Sequence, residues 1–489
     1  MNLRDLIKGL SCETITGRKD LEIEGIDSDS RKIGRGYLFV AISGYRDDGC
    51  NYIDAALDKG AVAVVTEKSV NLPDHVTVIK VKDSRTALAK LSSNYYKNPS
   101  HDMHLIGITG TSGKTTTTYL IKSIMEESGL KCGIIGTMGN IINKEVVKTG
   151  NTTPESLIIQ KYLYEMLKSG TEYCAMEVSS HSIFLKRIEY CEFEIGLFTN
   201  LSRDHLDFHK TMDDYFEVKS RLFYKTNKYN IVNLDDEYGR RLIEKIEDSK
   251  VPLLTYGFDA KGDIFATDVK YSLNGVNFLL NTPKGSIPIN FNIPGKFSVY
   301  NSLAAASCAY AYNIDLDNIK KGLEKVQGVK GRFEIVPTKR DFSVIIDFAH
   351  TPNELENLLT LIDEFAQGRK VVVFGAGGNR DKTKRPIMGE VVANHCDLPI
   401  VTSDNPRDED PEKIIDDVIV GVKKVTDNYI KIIDRREAIK YAVENAKPND
   451  IIILAGKGHE TYTIIKGKKL PFDEREIVEY TLKELNHER

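Results

Sequence analysis

Short runs of branched and aromatic residues recur along the chain, and many of them end on glycine, threonine, asparagine or aspartate. Residues 37–42 (YLFVAI) and 61–65 (AVAVV) are of this kind. Such runs, rich in β-formers and bounded by turn residues, predict buried strands. Between them, residues 52–59 predict a short helix closed by Gly60. Asn98-Pro99-Ser100 is a turn-rich break, and a first domain boundary is expected there.

Residues 103–108 (MHLIGI) then predict a strand, followed by a Gly/Thr turn and an amphipathic helix over 115–128 that Gly129 ends. Strand, loop and helix in this order open a parallel α/β domain. Further strands are expected at 173–178, 195–199 and 229–232. Residues 264–291 alternate, with Gly275 and Pro283-Lys284-Gly285 as turn signals, and predict antiparallel hairpins. Helical patterning resumes over 299–311. From Gly331 onward, 344–347, 370–374, 398–402 and 451–454 read as four buried parallel strands, each followed by a polar or glycine-bearing turn. Ligands of such a sheet sit outside the C-terminal ends of its strands. The expected class is α/β with three domains. A smaller N-terminal α/β domain covers 1–100, a central P-loop-type parallel domain 101–330, and a C-terminal Rossmann-like doubly wound domain 331–489.

The length of 489 residues agrees with three domains at roughly 150 residues each. A hydrophobic fraction of 41% and a charged fraction of 28% exclude disordered, collagen-like and coiled-coil classes. Lys+Arg 67 against Asp+Glu 71 leaves a net charge of −4, so general binding to nucleic acid or a membrane surface is not expected. A polyanion would need a local basic cluster. The 7 cysteines include no CxxC pair, which points to a reducing compartment rather than a disulfide framework or zinc knuckle. The opening MNLRDLIKGL does not read as a signal peptide. No stretch approaches the ~18 apolar residues of a membrane span, and a cytoplasmic location is expected.

The strongest chemical signal is Gly110-Thr111-Ser112-Gly113-Lys114-Thr115-Thr116, between a strand and a helix. Glycines let backbone N–H groups close around phosphate oxygens, and the helix N-terminus adds partial positive charge. Lys114 would reach the β- and γ-phosphates, and the Thr115 hydroxyl a Mg²⁺ ion. Ile108 stands where the commonest phosphate loop has its first glycine. A plain turn with a surface lysine is the alternative, and the flanking strand and helix disfavour it. Glu177 ends a strand, where a second Mg²⁺ ligand belongs beside such a loop. Gly375-Ala376-Gly377-Gly378-Asn379-Arg380 resembles a dinucleotide fingerprint but has Arg380 at the third glycine position. Arg380, Lys382, Lys384 and Arg385 could form an anion site or a solvated face.

His205 and His209 lie four apart and on a helix would share a face. Zinc needs more ligands than this pair supplies, which leaves single-histidine ligation to Mg²⁺ or a hydrogen-bonding role. Lys219 falls in a helical pattern over 215–223 and, taken alone, reads as a surface lysine. Polar motifs at 347–352, 403–407 and 456–460 each follow a strand of the third domain. Their convergence on one crevice argues more strongly than any motif alone.

Together these motifs resemble those of the Mur ligase family, the ATP-dependent amide-bond ligases of peptidoglycan precursor synthesis. The resemblance covers essentially the whole chain. It rests on GITGTSGKTTT at 107–117, NTTPE at 151–155, MEVSSH at 176–181, NLSRDHLDFH at 200–209 and GRFE at 331–334. DFAHTPN at 347–353, GGNRDKTKRP at 377–386, DNPR at 404–407 and GKGHE at 456–460 complete it. The DNPR quartet is similar to the form that adds meso-2,6-diaminopimelate to UDP-N-acetylmuramoyl-L-alanyl-D-glutamate, rather than to the lysine-adding form.

The resemblance implies one substrate per domain. Ser28, Ser30 and Arg31, with Tyr45, Arg46 and Asp47, match uridine-nucleotide contacts. Asn151, Thr152, Thr153, Ser179 and Arg187 match positions that hold the nucleotide-sugar peptide, and Leu185 stands where a glutamine is usual. The loop 110–116 with Asn301, Arg332 and Asp347 matches the ATP site. Arg380, Asp404, Asn405, Pro406, Arg407, Gly456 and Glu460 match the diaminopimelate site. Lys114, His205 and Lys219 would be catalytic. Thr115, Glu177, His205 and Lys219 would hold Mg²⁺, with Lys219 carrying an N6-carboxyl group. The implied partners are small molecules only, and a monomer is expected. Three alternatives stay open: a lysine-adding ligase, a folylpolyglutamate-type ligase, and a P-loop ATPase acting as switch or motor.

Overall fold

Three sheets, each made mainly of parallel strands, carry the chain. The computed structural model describes residues 1–44, 48–142, 145–147, 150–206, 208–259, 262–272, 275–326, 328, 330–363 and 365–487. The expected contacts Tyr45, Arg46 and Asp47 lie outside the described residues.

The first sheet has the order Cys12–Thr16, Thr77–Val81, Ala61–Thr66, Tyr37–Val40 and Gly25–Asp27. Only its first pair is antiparallel. The strands at 37–40 and 61–66 match the apolar runs. The edge strands Cys12–Thr16 and Gly25–Asp27 escape the sequence pattern because one is half-exposed and the other short, whereas Thr77–Val81 alternates buried and half-buried positions and was missed.

The second sheet has 11 strands. Seven of them run parallel, in the order Ile264–Ser272, Leu253–Gly257, Thr226–Asn233, Phe193–Phe198, His104–Thr109, Tyr173–Glu177 and Cys132–Ile135. Burial on both faces explains why His104–Thr109, Tyr173–Glu177 and Phe193–Phe198 read as apolar runs. The hairpins expected over 264–291 form, with Gly275–Thr282 and Gly285–Phe291 antiparallel. They extend the parallel sheet rather than standing apart from it, since Tyr256 pairs with Ile264.

The chain leaves His104–Thr109 through helix Lys114–Glu127, whose Leu120, Ile121, Ile124 and Met125 are buried. It then enters Cys132–Ile135, which pairs with Tyr173–Glu177. On the other side of His104–Thr109 lies Phe193–Phe198. The strand order therefore reverses at His104–Thr109, and a crevice opens beyond the C-terminal strand ends at such a point.

The third sheet has the order Glu334–Val336, Ser343–Asp347, Ile451–Ala455, Lys370–Phe374, Leu398–Val401 and Ile430–Lys431. All pairs but the first are parallel. The four expected strands are neighbours, so the turns after them share one edge. A separate hairpin, Tyr462–Ile465 with Lys468–Pro471, went unforeseen. It is bridged to the turn at Arg407.

The domains touch through specific contacts. Lys186 of the central domain pairs with Asp83, which caps helix Ser84–Tyr95. At the other junction the Phe297 ring of the central domain lies 6.3 Å from the Phe333 ring of the third, and Gly331, where the third domain begins, has φ +70° with room for no Cβ, which would lie 2.1 Å from the His459 amide nitrogen. All seven cysteines are free thiols. No described helix is long and apolar enough to cross a membrane.

The basic run after Arg380 is not wholly a solvated face. Arg385 is 1% exposed and binds Glu409 at 2.8 Å and Asp417 at 2.9 Å. It thereby ties helix Lys384–His395 to the segment after Arg407 and to helix Pro411–Val422. Its hydrogen bond holds the Glu409 carboxyl down at about 2. Arg385→Met should cost about 2 kcal/mol, less than the ~3–5 kcal/mol of a pair shut off from water, because both acids keep solvent access. Glu409 has a folded value below the ~4.3 of an unfolded glutamate, so its contribution is full above that pH and is lost as pH falls toward 2. Thermal unfolding should show a lower Tm for the variant at pH 7 and a narrowing gap below about pH 4. An unchanged Tm at pH 7 would contradict this role.

Candidate active site

Strand His104–Thr109 ends in a turn that only glycine can make. Gly110 has φ +146°, and a Cβ there would lie 1.9 Å from Thr199 Oγ1. Gly113 has φ +86° and would meet Asn301 Oδ1 at 2.5 Å. The segment after strand Phe193–Phe198 clamps this turn. Thr111 N donates to Asn200 O at 2.8 Å, Ser112 N to Asn200 Oδ1 at 3.0 Å, and Thr199 Oγ1 to Ser112 O at 2.7 Å. Asn301 reaches the loop from helix Lys296–Ala311.

Lys114 folds back over the turn and donates to Gly110 O at 2.9 Å and Thr111 O at 2.7 Å. Burial lowers its pKa, against the pull of Glu177. Arg332, from the third domain, lowers it further.

Thr115 Oγ1 stands 3.0 Å from both carboxylate oxygens of Glu177. Thr137, which the sequence reading missed, donates its N–H to Glu177 Oε1 at 2.9 Å and its hydroxyl to Oε2 at 3.0 Å. The available signal was Gly136-Thr137 at the end of the neighbouring strand Cys132–Ile135. Glu177 is 1% exposed, and its hydrogen bonds among the described residues all come from neutral groups. A buried carboxylate beside a hydroxyl, with no cation hydrogen-bonded to it, fits a hard divalent cation.

The Glu177 carbonyl accepts from Thr153 Oγ1 at 2.7 Å, and Ser179 N donates to the same hydroxyl at 3.1 Å. Arg187 donates to Thr153 O at 3.1 Å and lies 2.8 Å from Glu155. Thr152 meets Thr137 at 3.1 Å. Asn151 is exposed, and Leu185 is half-buried at the end of helix Ser180–Phe184. The proposed nucleotide-peptide contacts thus adjoin Glu177 directly. Ser28 and the buried Ser30 belong to the first domain, and Arg31 pairs with Asp29 at 2.9 Å. Among the described residues, no side-chain hydrogen bond joins Ser28 or Ser30 to this group.

Two readings need correction. Lys219 is not on the surface: it is 1% exposed and donates to Gly110 O at 2.7 Å. Burial, and then the like charge of Lys114, push its pKa well down. His205 and His209 do not share a helix, since His205 has φ +55°. His209 is buried against Ser180 Oγ at 2.9 Å. His205 keeps part of its ring accessible, yet its enclosure pushes its pKa to about 4. Asp204 opposes that shift, whereas His181, Lys219 and Lys114 add to it.

The third domain faces this loop. The Arg332 guanidinium lies over the Phe348 ring at 4.7 Å. Asp347 accepts from Phe333 N and Ala349 N, both at 2.7 Å, and burial raises its pKa against the pull of Arg332. Asp204, in the central domain, is lowered despite burial by His205 and by His350 and Lys384 of the third domain.

Along the shared edge of the third sheet, Arg407 has φ +53° and donates to Gly378 O at 2.7 Å. Its backbone is held by the hairpin, with Arg407 N donating to Ile464 O at 3.0 Å. Burial lowers the Arg407 pKa, and the exposed Arg380 beside it adds to the shift. Pro406 is buried next to Asn405, whose Nδ2 donates to Glu460 Oε2 at 2.8 Å. A Cβ on Gly456 would lie 3.0 Å from Asp404 Oδ2. The crevice therefore pairs two guanidinium groups with two carboxylates, a pattern suited to a ligand bearing both signs of charge.

The description of the Mur ligase middle domain matches residues 108–309, and that of the Mur ligase glutamate ligase domain matches 331–458. The Mur ligase family catalytic domain matches 22–96. A protein of Caldanaerobacter subterraneus subsp. tengcongensis named UDP-N-acetylmuramoyl-L-alanyl-D-glutamate--2,6-diaminopimelate ligase is 49% identical over 484 residues, 99% of either chain. A solved structure bearing that ligase name is 31% identical, with a TM-score of 0.70 over 100% of this chain and 99% of its own. The MurF ligase of Thermotoga maritima, solved in complex with ADP, shares the fold at 19% identity and a TM-score of 0.65, over 96% of this chain and 100% of its own. An identity of 49% over 99% of the chain decides the kinship: this protein belongs to the Mur ligase family.

Proposed function

We propose that the chain is an ATP-dependent acid–amino-acid ligase that joins meso-2,6-diaminopimelate to UDP-N-acetylmuramoyl-L-alanyl-D-glutamate in peptidoglycan precursor synthesis. The observation that carries this reading is contact across the domain junction. The Phe333 ring, next to Arg332, lies 6.3 Å from Phe297 of the helix that brings Asn301 to the phosphate loop, and Arg332 and Glu354 lie within electrostatic reach of Lys114. A crevice for a zwitterion and a loop for a triphosphate thus belong to one reaction space.

A carboxylate does not condense with an amine in water without activation. An oxygen of the D-glutamate γ-carboxylate attacks the γ-phosphorus of ATP, the bond to ADP breaks, and an acyl phosphate forms. The diaminopimelate amine then attacks the acyl carbon and loses a proton. The tetrahedral intermediate collapses with departure of phosphate. The N–H groups of 110–116 and the Lys114 ammonium gather the phosphate charge, and preorganised charge of this kind is usually the largest catalytic contribution. Asn301, Arg332 and Asp347 complete the ATP contacts. Asn151, Thr152, Thr153, Ser179 and Arg187 hold the peptide carboxylate beside the loop, and Leu185 offers apolar surface where a glutamine is usual. Ser28 and Ser30 hold the uridine nucleotide.

Thr115 and Glu177 are the residues that would hold one Mg²⁺, with His205 and Lys219 toward a second. When bound, Mg²⁺ supplies charge neutralisation at the phosphate oxygens. His205 has a low pKa and is neutral at pH 7, as a ligand must be. Burial and the like charge of Lys114 disfavour the Lys219 ammonium, so it gives up a proton readily and the amine can add CO₂. The Nζ–C bond forms as one C=O π bond of CO₂ opens, a second proton leaves, and a cation has become a carboxylate. That removes the repulsion with Lys114.

Arg407 and Arg380 take carboxylates of diaminopimelate, while Asp404 and Glu460, with Asn405, take an ammonium end. Lysine lacks one carboxylate and would leave Arg407 unpaired. Discrimination should therefore exceed the ~1.5–3 kcal/mol of one charge-assisted hydrogen bond. A single chain carries every group the reaction uses, so a monomer suffices. Its substrates place the work in the cytoplasm.

Phosphate release from ATP tests the reading. It should require both the nucleotide-peptide and an amino acid, with diaminopimelate far ahead of lysine in a panel. Release without either substrate would indicate a switch or motor, and a preference for lysine would overturn the choice of amino acid. Arg407→Ala should cut diaminopimelate incorporation by about a hundredfold while ATP binding survives. Wild-type incorporation by the variant would refute the assignment. Lys219→Ala should be nearly inactive and partly rescued by added short carboxylates. Intact mass showing an unmodified lysine in fully active enzyme would remove the carboxylation.

A further inference from the structure

Lys457 stands in the turn after strand Ile451–Ala455, yet its side chain is 0% exposed. An ammonium sealed from water persists only where it is well paired, so its contacts state its use. Its Nζ lies 3.2 Å from Asn405 Oδ1 and 3.2 Å from Glu460 Oε2. The Phe472 ring lies 5.5 Å away and closes the remaining side. Asn405 Oδ1 also accepts from Ile464 N at 2.9 Å. Two donors on one oxygen fix the orientation of the amide, and its Nδ2 is thereby aimed at Glu460 Oε2, 2.8 Å away.

Glu460 Oε2 thus takes two hydrogen bonds. Among the described residues Oε1 takes none, and the side chain keeps 17% exposure. Asp404 Oδ2, in the same turn as Asn405, is buried without a hydrogen-bond partner. Behind them Arg435 and Glu474 pair at 2.8 Å, 3% and 0% exposed, and Arg435 also donates to Ala455 O at 2.8 Å. The Lys457 ammonium thus sits against Glu460 and acts on the buried Asp404 as well.

We infer that Lys457 is a positioning residue of the amino-acid site: it locks Asn405 and Glu460 in one orientation and supplies the positive charge that lets Asp404 and Glu460 stand together toward the ammonium end of the substrate. The inference rests on the ligase reading above. Electrostatics agree with the geometry. Burial would raise Asp404, yet Lys457 and then Arg435 outweigh it and hold the carboxyl below its ordinary range. The other groups facing the pair are Arg407 and Tyr462 across the crevice, His350 from the adjacent strand end, and Glu474 behind.

The test is phosphate release by the full-length enzyme at one fixed pH, with ATP and nucleotide-peptide saturating and diaminopimelate varied. Wild type is compared with Lys457→Met and Lys457→Gln. Lys457→Met should raise KM for diaminopimelate by about tenfold or more, the loss of charge-assisted hydrogen bonds. Its kcat and its KM for ATP should stay within about threefold of wild type, since the lost bonds act on the amino acid alone. Lys457→Gln, which keeps a donor but no charge, should fall between. Three results would overturn the inference: an unchanged KM for diaminopimelate, a fall in kcat that matches or exceeds the rise in KM, or failure of both variants to fold. Each marks a lysine that is merely structural or idle. Failure of the wild type to use diaminopimelate would instead sink the ligase reading itself.

Discussion

Glu177 carries a carboxylate almost wholly removed from water, hydrogen-bonded to Thr115 of the phosphate loop and to Thr137 of the next strand end. Its backbone carbonyl holds Thr153, and the Thr153 carbonyl holds Arg187. One residue therefore ties the phosphate loop, a cation-seeking donor set and the 151–153 segment into a single unit. Such a carboxylate is costly unless positive charge arrives. The strand reversal at His104–Thr109 creates the crevice, and Gly110 lets Thr199 and Asn200 press against the loop. Remove any of these and the negative groups of ATP and substrate lose their meeting point.

The third domain solves a complementary problem. It must bind a ligand that bears both signs of charge and present it to the loop. The solution is a set of both signs at one sheet edge, with Arg407 and Arg380 near Asp404 and Glu460. The fixed left-handed backbone at Arg407 and the bridging hairpin turn a flexible side chain into a positioned one. A net charge of −4 on the whole chain is compatible with anionic substrates because positive charge is spent only at such places.

Local signals were legible in the sequence where local physics decides the structure. The strand, glycine turn and helix at 104–127 and the four strands of the third sheet follow from apolar runs and turn residues. Burial of charge was not legible, because the partners are far apart in the chain. Lys219 reaches Gly110 across 109 positions and Lys457 reaches Asn405 across 52, so periodicity alone made the first a surface residue. Arg385 was masked by its basic neighbours, and its acids lie 24 and 32 positions away. His205 and His209 had helical spacing but not helical backbone. Thr137 had no motif of its own, and only its neighbour in space reveals it.

The account turns on transfer of the γ-phosphoryl group of ATP to the substrate carboxylate. The most direct measurement labels the D-glutamate γ-carboxylate of the nucleotide-peptide with ¹⁸O, allows turnover with ATP and diaminopimelate, and weighs the released phosphate. An acyl phosphate predicts that one labelled oxygen leaves with each phosphate. Phosphate free of label would show that ATP is hydrolysed by water and would contradict the mechanism.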